Sequence, residues 1–99
     1  MRYLLLAYSA EPDADTTRDR PVARHVLEDA STATTVRVRD GETLVGDGPA
    51  ETGAGDLRQV DVIDAPSLDE AIAAAERIPA ARRGVVEIRP LATDAEAAA

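Results

Sequence analysis

The chain has 99 residues, with 11 arginines, no lysine and 19 acidic residues, for a formal charge of −8. That balance repels nucleic-acid phosphates and anionic membranes and favours solubility. Of the 44% apolar residues 20 are alanine, and Phe, Trp and Cys are absent, which excludes disulfides, thiolate chemistry and Cys-ligated metal.

Residues 1–8 (MRYLLLAY) read as a strand with apolar positions on both faces, hence central and covered on both sides. The run is far short of the roughly 20 residues that span a bilayer, and it lacks the length and cleavage site of a signal peptide. Residues 9–19 (SAEPDADTTRD) are acidic and turn-rich, a surface loop that includes the acid pair Asp13 and Asp15. Residues 20–29 (RPVARHVLED) read as a short helix, with Pro21 in the first turn and Val22 and Val26 on one face. Residues 34–39 (TTVRVR) alternate as a half-buried strand, Asp40-Gly41 is a hairpin turn, and residues 42–46 return as the second arm. Residues 47–55 (DGPAETGAG) form a loop. Residues 57–64 (LRQVDVID) alternate again, with Val60 and Val62 on one face and Asp61 on the other. Ser67 and Glu70 form a capping box, and Leu68, Ala71, Ile72, Ala75 and Ile78 make an apolar helical stripe that Pro79 ends. Residues 84–91 (GVVEIRPL) close the order as a strand. Residues 1–91 thus make one domain, and 92–99 a frayed tail.

This order, β-α-β-β-β-α-β, predicts an α+β fold: the ferredoxin-like split βαβ with an inserted β-hairpin, an antiparallel sheet with helices on one face. The other face stays open. A chain of this size buries only about 60–65% of its unfolded surface, and this one has few large side chains. The open face is therefore expected to pack against another copy, giving a homodimeric α+β barrel. The lack of cysteine fits a reducing cytoplasm.

Residues 31–52 (STATTVRVRDGETLVGDGPAET) resemble the YCII-related proteins, in the branch named for an Asp-Gly-Pro-Phe (DGPF) motif. Residues 1–8, the helix at 67–81 (SLDEAIAAAERIPAA) and the strand at 86–91 (VEIRPL) are similar to the rest of that family, so the resemblance covers most of the chain. It implies a dimeric α+β barrel. Three departures stand out. Ala50 occupies the place of the motif's Phe, the segment between Tyr8 and Ser31 is short, and residues 57–64 carry Arg58, Gln59 and Asp61 where relatives tend to be apolar. All three remove apolar bulk near the expected cavity.

Candidate chemistry is sparse. Asp47, between Gly46 and Gly48-Pro49, reads either as a general base at the barrel mouth or as a turn residue bonding its own backbone. His25, the only histidine, is the one side chain whose ordinary pKa allows proton exchange near neutrality. It reads as its catalytic partner or as a surface residue. The stretch around it loosely resembles an Arg-Pro-x-His block of a catalytic-looking YCII branch. Ile78 stands where that branch has an Asp before Pro, so its His–Asp dyad is missing. One histidine cannot build a multi-His metal site, so no metal is expected. Arg37 and Arg39 share a strand face and read as an anion clamp or as a solvated face paired with Glu42. Tyr3 and Tyr8 point to opposite faces, one toward a pocket and one under a helix. The hydroxyls of Ser31, Thr32, Thr34 and Thr35 read as ligand donors or as strand and turn formers.

Two functions follow. The first is a cofactor-free cytoplasmic homodimer whose pocket takes a small organic molecule, with proton-transfer chemistry of the isomerase, lyase or cyclase kind. The second, implied by the resemblance, is a non-catalytic accessory or regulatory protein associated with an alternative sigma factor. A degenerate family member that only folds and dimerises is the third reading.

Overall fold

The computed structural model of the chain describes residues 1–10, 21–51 and 53–92. The loop expected at 9–19, beyond its first two residues, and the tail from Thr93 lie outside them. The described elements are β1 (Arg2–Ser9), β2 (Ala23–Val26), a 3-10 turn (Ala30–Thr32), β3 (Thr34–Arg39), β4 (Glu42–Asp47), β5 (Asp56–Asp64), α1 (Leu68–Glu76), α2 (Ala80–Arg83) and β6 (Val85–Pro90). It is an α+β protein. Four strands form one sheet in the order β2-β5-β1-β6, with every neighbouring pair antiparallel, and β3 and β4 form a separate two-stranded sheet. β5 and β6 therefore run in the same direction with β1 between them, and the two helices carry the crossover.

The strict alternation of β1 decides which side is dry. Tyr3, Leu5, Ala7 and Ser9 are buried, whereas Leu4, Leu6 and Tyr8 are half-buried. Tyr3, Leu5 and Ala7 meet Ile63 from β5 and the helical residues Ala71, Ala75, Ile78 and Ala80 in the core. The apolar-both-faces reading of β1 is correct in placing it centrally. The second face, however, is covered by no helix among the described residues.

α1 begins at Ser67, whose hydroxyl accepts the backbone N–H of Glu70 at 3.3 Å. The helix is rolled so that its alanines face the sheet. Ala71 and Ala75 are buried, while Leu68 and Ile72 of the expected stripe are 51% and 40% exposed. Small residues let the helix lie close to the sheet. Pro79 both ends this helix and opens α2, a second short helix not foreseen in the pattern; its fixed φ suits a first turn. Gly84 then passes so close to β1 that a Cβ would meet the Tyr8 carbonyl oxygen at 2.1 Å.

The helix expected at residues 20–29 does not form. Residues 23–26 instead pair antiparallel with β5, extended by Val22 N–H to the Val62 carbonyl (2.7 Å) and Leu27 N–H to the Arg58 carbonyl (2.9 Å). Two helical turns have little intrinsic stability. A ladder along a neighbouring strand satisfies the same backbone groups and adds a cross-strand ion pair. Arg24 faces Asp61 in that register, its Nη2 donating to Oδ2 at 2.8 Å and its Nε lying 3.1–3.2 Å from both carboxylate oxygens. Gln59 donates to the same carboxylate at 3.1 Å. Val60 and Val62 do lie opposite Asp61, as the alternation predicts. The inversion is that Gln59 and Asp61 occupy the buried face and the valines the open one.

The hairpin turn at Asp40-Gly41 forms as expected, with φ of 51° and 79°. Both values are in the left-handed region that a two-residue hairpin turn requires. β3 was expected to be half-buried, and the structure corrects this: only Thr35 is sheltered, because no other described strand or helix packs substantially on the hairpin. The Cα radius of gyration is 15.1 Å, against about 13 Å for a compact domain of 100 residues. No helix among the described residues is long and apolar enough to cross a membrane.

Candidate functional site

A β-bulge prepares the site. β1 and β5 pair in register up to Ala7 and Gln59, then resume at Tyr8 and Leu57, which leaves Arg58 as the extra residue. Bulges re-aim side chains and bend the strand. Arg58 uses the freedom to hold three segments together. Its Nη2 donates to the Ala10 carbonyl at 2.8 Å and its Nε to the Ser9 carbonyl at 3.2 Å. Its guanidinium also pairs with Asp56 at 3.5 Å and Asp29 at 3.6 Å.

Asp29 starts the 3-10 turn. Its carboxylate accepts the Ser31 N–H at 3.0 Å, and its carbonyl accepts the Thr32 hydroxyl at 2.7 Å. Hydrogen bonds from Ser31, side chain and backbone, with the nearby Arg58 charge, hold the Asp29 carboxyl below the ordinary aspartate range. The Gly48 N–H donates to the Ala33 carbonyl at 2.8 Å, which ties the loop after β4 to the start of β3.

Between these segments lies a half-open cavity of about 540 Å³. Tyr8 and Leu57 supply one wall, at the end of the open sheet face. The turn at Leu27–Ala33 supplies the second, including Glu28, Asp29 and Thr32. The root of the hairpin supplies the third, through Thr34 and Thr35 on one arm and Pro49 and Ala50 beyond the other. Most of the lining is apolar, and Glu28, Asp29, Thr32, Thr34, Thr35 and Asp56 are its polar members, a mix usual for small-molecule sites. The size is within the range of ligand pockets, about 300–1,000 Å³.

The residues singled out from sequence scatter around this cavity. Tyr8 lines it, while Tyr3 is buried beneath the helices, its hydroxyl 3.8 Å from the Met1 sulfur. The two tyrosines do point to opposite faces. Asp47 ends β4 opposite Thr34, is exposed and is not part of the lining. His25 is exposed on β2 opposite Val60, on the open sheet face and outside the cavity. Arg37 and Arg39 are exposed along the hairpin, opposite Leu44 and Glu42, away from the lining. Thr32, Thr34 and Thr35 do reach it, and so does Ala50.

Sequence reasoning missed Leu27, Glu28 and Asp29 as wall residues because it placed them in a helix. It also missed Arg58 as the fastener. An arginine inside an apolar alternation was the available signal. The buried Arg24–Asp61 pair left no mark in the pattern, because alternation gives the period of a strand and not the identity of its dry face.

Compared with protein-family models, residues 1–93 match the YCII-related domain. Comparison with curated proteins returned no match.

Proposed function

The chain belongs to the YCII-related family, and we propose that it works as a homodimer binding a small organic molecule in the cavity between β1, β5 and the hairpin root. The cavity itself carries this reading: a mostly apolar chamber of about 540 Å³ with Tyr8, Thr32, Thr34 and Thr35 among its lining residues. Walls of this kind bury an apolar body, with a few polar residues to orient it.

Binding is favoured over turnover by where the titratable groups lie. Asp47 and His25 are outside the cavity. Asp29, which lines it, has a lowered pKa and is a weaker base for that reason. Acid–base chemistry of the isomerase, lyase or cyclase kind would fall to Glu28 or Asp56. The regulatory role beside an alternative sigma factor rests on family resemblance alone.

Homodimerisation is supported by the sheet face that carries Leu4, Leu6, Val60 and Val62, half-buried with no helix over it among the described residues. The fold belongs to the same proposal. The order β2-β5-β1-β6 supports a ferredoxin-like split βαβ sheet, with the β3–β4 hairpin inserted between its second and third strands. Two such sheets face to face make a dimeric α+β barrel. Asp47-Gly48-Pro49 supports the DGPF branch, and Ala50, in the place of its Phe, lines the cavity. The absence of cysteine supports a cytoplasmic setting.

Ala50→Phe tests the cavity. A phenyl ring there fills the chamber from its hairpin wall. Screened against a fragment library by ligand-observed NMR, the wild type is expected to bind fragments that the variant has lost, with unchanged circular dichroism. Fragments that bind both proteins equally, or none that bind the wild type, would overturn the reading.

A further inference from the structure

We infer that the cavity takes a small amine, an apolar body bearing a positively charged donor group, and turns away carboxylates, phosphates and other anions. The inference rests on the reading of the cavity as a ligand site and names the class of ligand that fits it.

The first observation is the charge of the walls. Glu28, Asp29 and Asp56 line the cavity, and among the described residues no arginine or histidine does. The chain contains no lysine. Arg58 pairs with two of these acids from behind the lining. One guanidinium against three carboxylates leaves the site negative.

The second observation is that this guanidinium is engaged at each of its nitrogens. Its Nε donates to the Ser9 carbonyl and its Nη2 to the Ala10 carbonyl, and Nη1 lies 3.6 Å from the Asp29 carboxylate. The side chain is only 13% exposed. An incoming carboxylate or phosphate is best held by an arginine fork. This fork opens only by breaking the bonds that hold the wall.

The third observation is where the donors go. Successive backbone N–H groups in a turn are the other common cradle for anions. Here the N–H of Ser31 donates to the Asp29 carboxylate, that of Thr32 to the Asp29 carbonyl and that of Ala33 to the Ala30 carbonyl. The hydroxyls of Thr32 and Thr35 donate to the carbonyls of Asp29 and Gly46. These donors are spent within the protein, whereas ionised carboxylates only accept. An ammonium group only donates, and so complements the walls.

The remaining lining decides between an organic cation and a metal ion. It is mostly apolar, and among the described residues no group of three acids or histidines could hold a metal. Hard metal ions need several converging oxygens. An apolar body with one charged end needs only the lining present.

The test uses 2-phenylethylamine, 2-phenylethanol and phenylacetate, which share a ring and a similar reach and differ in charge. Each is titrated by ligand-observed NMR at neutral pH into wild type, Glu28→Gln and Ala50→Phe. The amine is expected to bind wild type at least threefold more tightly than the alcohol and tenfold more tightly than phenylacetate. A chain of −8 attracts cations over its whole surface, so the binding that counts is the part lost in Ala50→Phe. Glu28 is exposed, with no ion pair among the described residues, so its exchange for Gln leaves the fold intact. The amine preference is expected to fall at least twofold there, and an unchanged preference would overturn the inference. Amine binding undiminished in Ala50→Phe would also overturn it, as attraction by net charge alone. Alcohol or phenylacetate held in the cavity as tightly as the amine would overturn the ligand class and leave the ligand site standing. No binding by any of the three at millimolar concentration would remove both.

Discussion

The two faces of the central sheet are built from the same alternating strands and have opposite fates. On one, Tyr3, Leu5, Ala7 and Ile63 lie dry beneath the alanines of α1 and α2, and even the charged Asp61 is 1% exposed. On the other, Leu4, Leu6, Val60 and Val62 are only half-buried, and the hairpin that borders them exposes its valines. Side-chain hydrophobicity does not separate the faces; the valines of β5 lie on the wet one and its glutamine and aspartate on the dry one. The crossover connection separates them. Where the helices cross, the chain supplies its own cover, and on the other face no described helix does.

The largest effect is expected from breaking the dry face at its charge. Asp61→Ala removes the buried carboxylate that the Arg24 guanidinium and Gln59 both bond. Removing one partner of a buried pair costs about 3–5 kcal/mol. Urea denaturation is expected to show a loss of that order, and a loss below 1 kcal/mol would mean that the pair is solvated.

Neighbouring leucines sharpen the contrast. Leu5→Ala in the core is expected to cost about 2–5 kcal/mol, independent of protein concentration. Leu6→Ala, one residue on and facing the other way, is expected to cost less in dilute solution. Its deficit grows as concentration rises, because only association buries that position. Equal, concentration-independent losses would erase the distinction between the faces.

Gly84→Ala probes the edge at which the helices return to the sheet. Its Cβ would collide with the Tyr8 backbone carbonyl, and backbone cannot swing aside. A loss of about 1–3 kcal/mol is expected from such crowding, read as a lowered Tm.

The smallest effect concerns the cavity rim. The folded-state pKa of Asp29 is depressed below its ordinary value of 3.8. Its contribution is therefore fully present above that value and is lost as pH falls through the folded-state pKa. An Asp29→Asn variant is expected to lose the corresponding acid-limb slope in a stability-against-pH series while keeping the wild-type profile near neutrality. An unchanged acid limb would show that the Ser31 contacts are not kept in solution.

Much of this was legible from the residues. The strands of alternating β-branched residues, the Asp40-Gly41 turn and the Ser67 cap are local signals, and each forms where expected. The helix expected at residues 20–29 failed because Pro21 and two spaced valines carry little local preference, and pairing with β5 outweighed it. The site was partly legible. Tyr8, which strand parity turns toward the open face, and Ala50, at the family motif, reach the cavity, and so do Thr32, Thr34 and Thr35. Asp47 and His25 do not, because residue chemistry alone says nothing of which way a strand end faces. Arg58 stood out as an arginine inside an apolar alternation, but its fastening role depends on a bulge that shifts the register by one residue and that alternation does not predict.

The central claim is that a second copy covers the face the helices leave bare. Light scattering with size-exclusion chromatography, run from millimolar down to micromolar wild-type protein, tests it most directly. The account predicts a particle of twice the chain mass that persists into the micromolar range. A well-folded single chain across the whole series would contradict it.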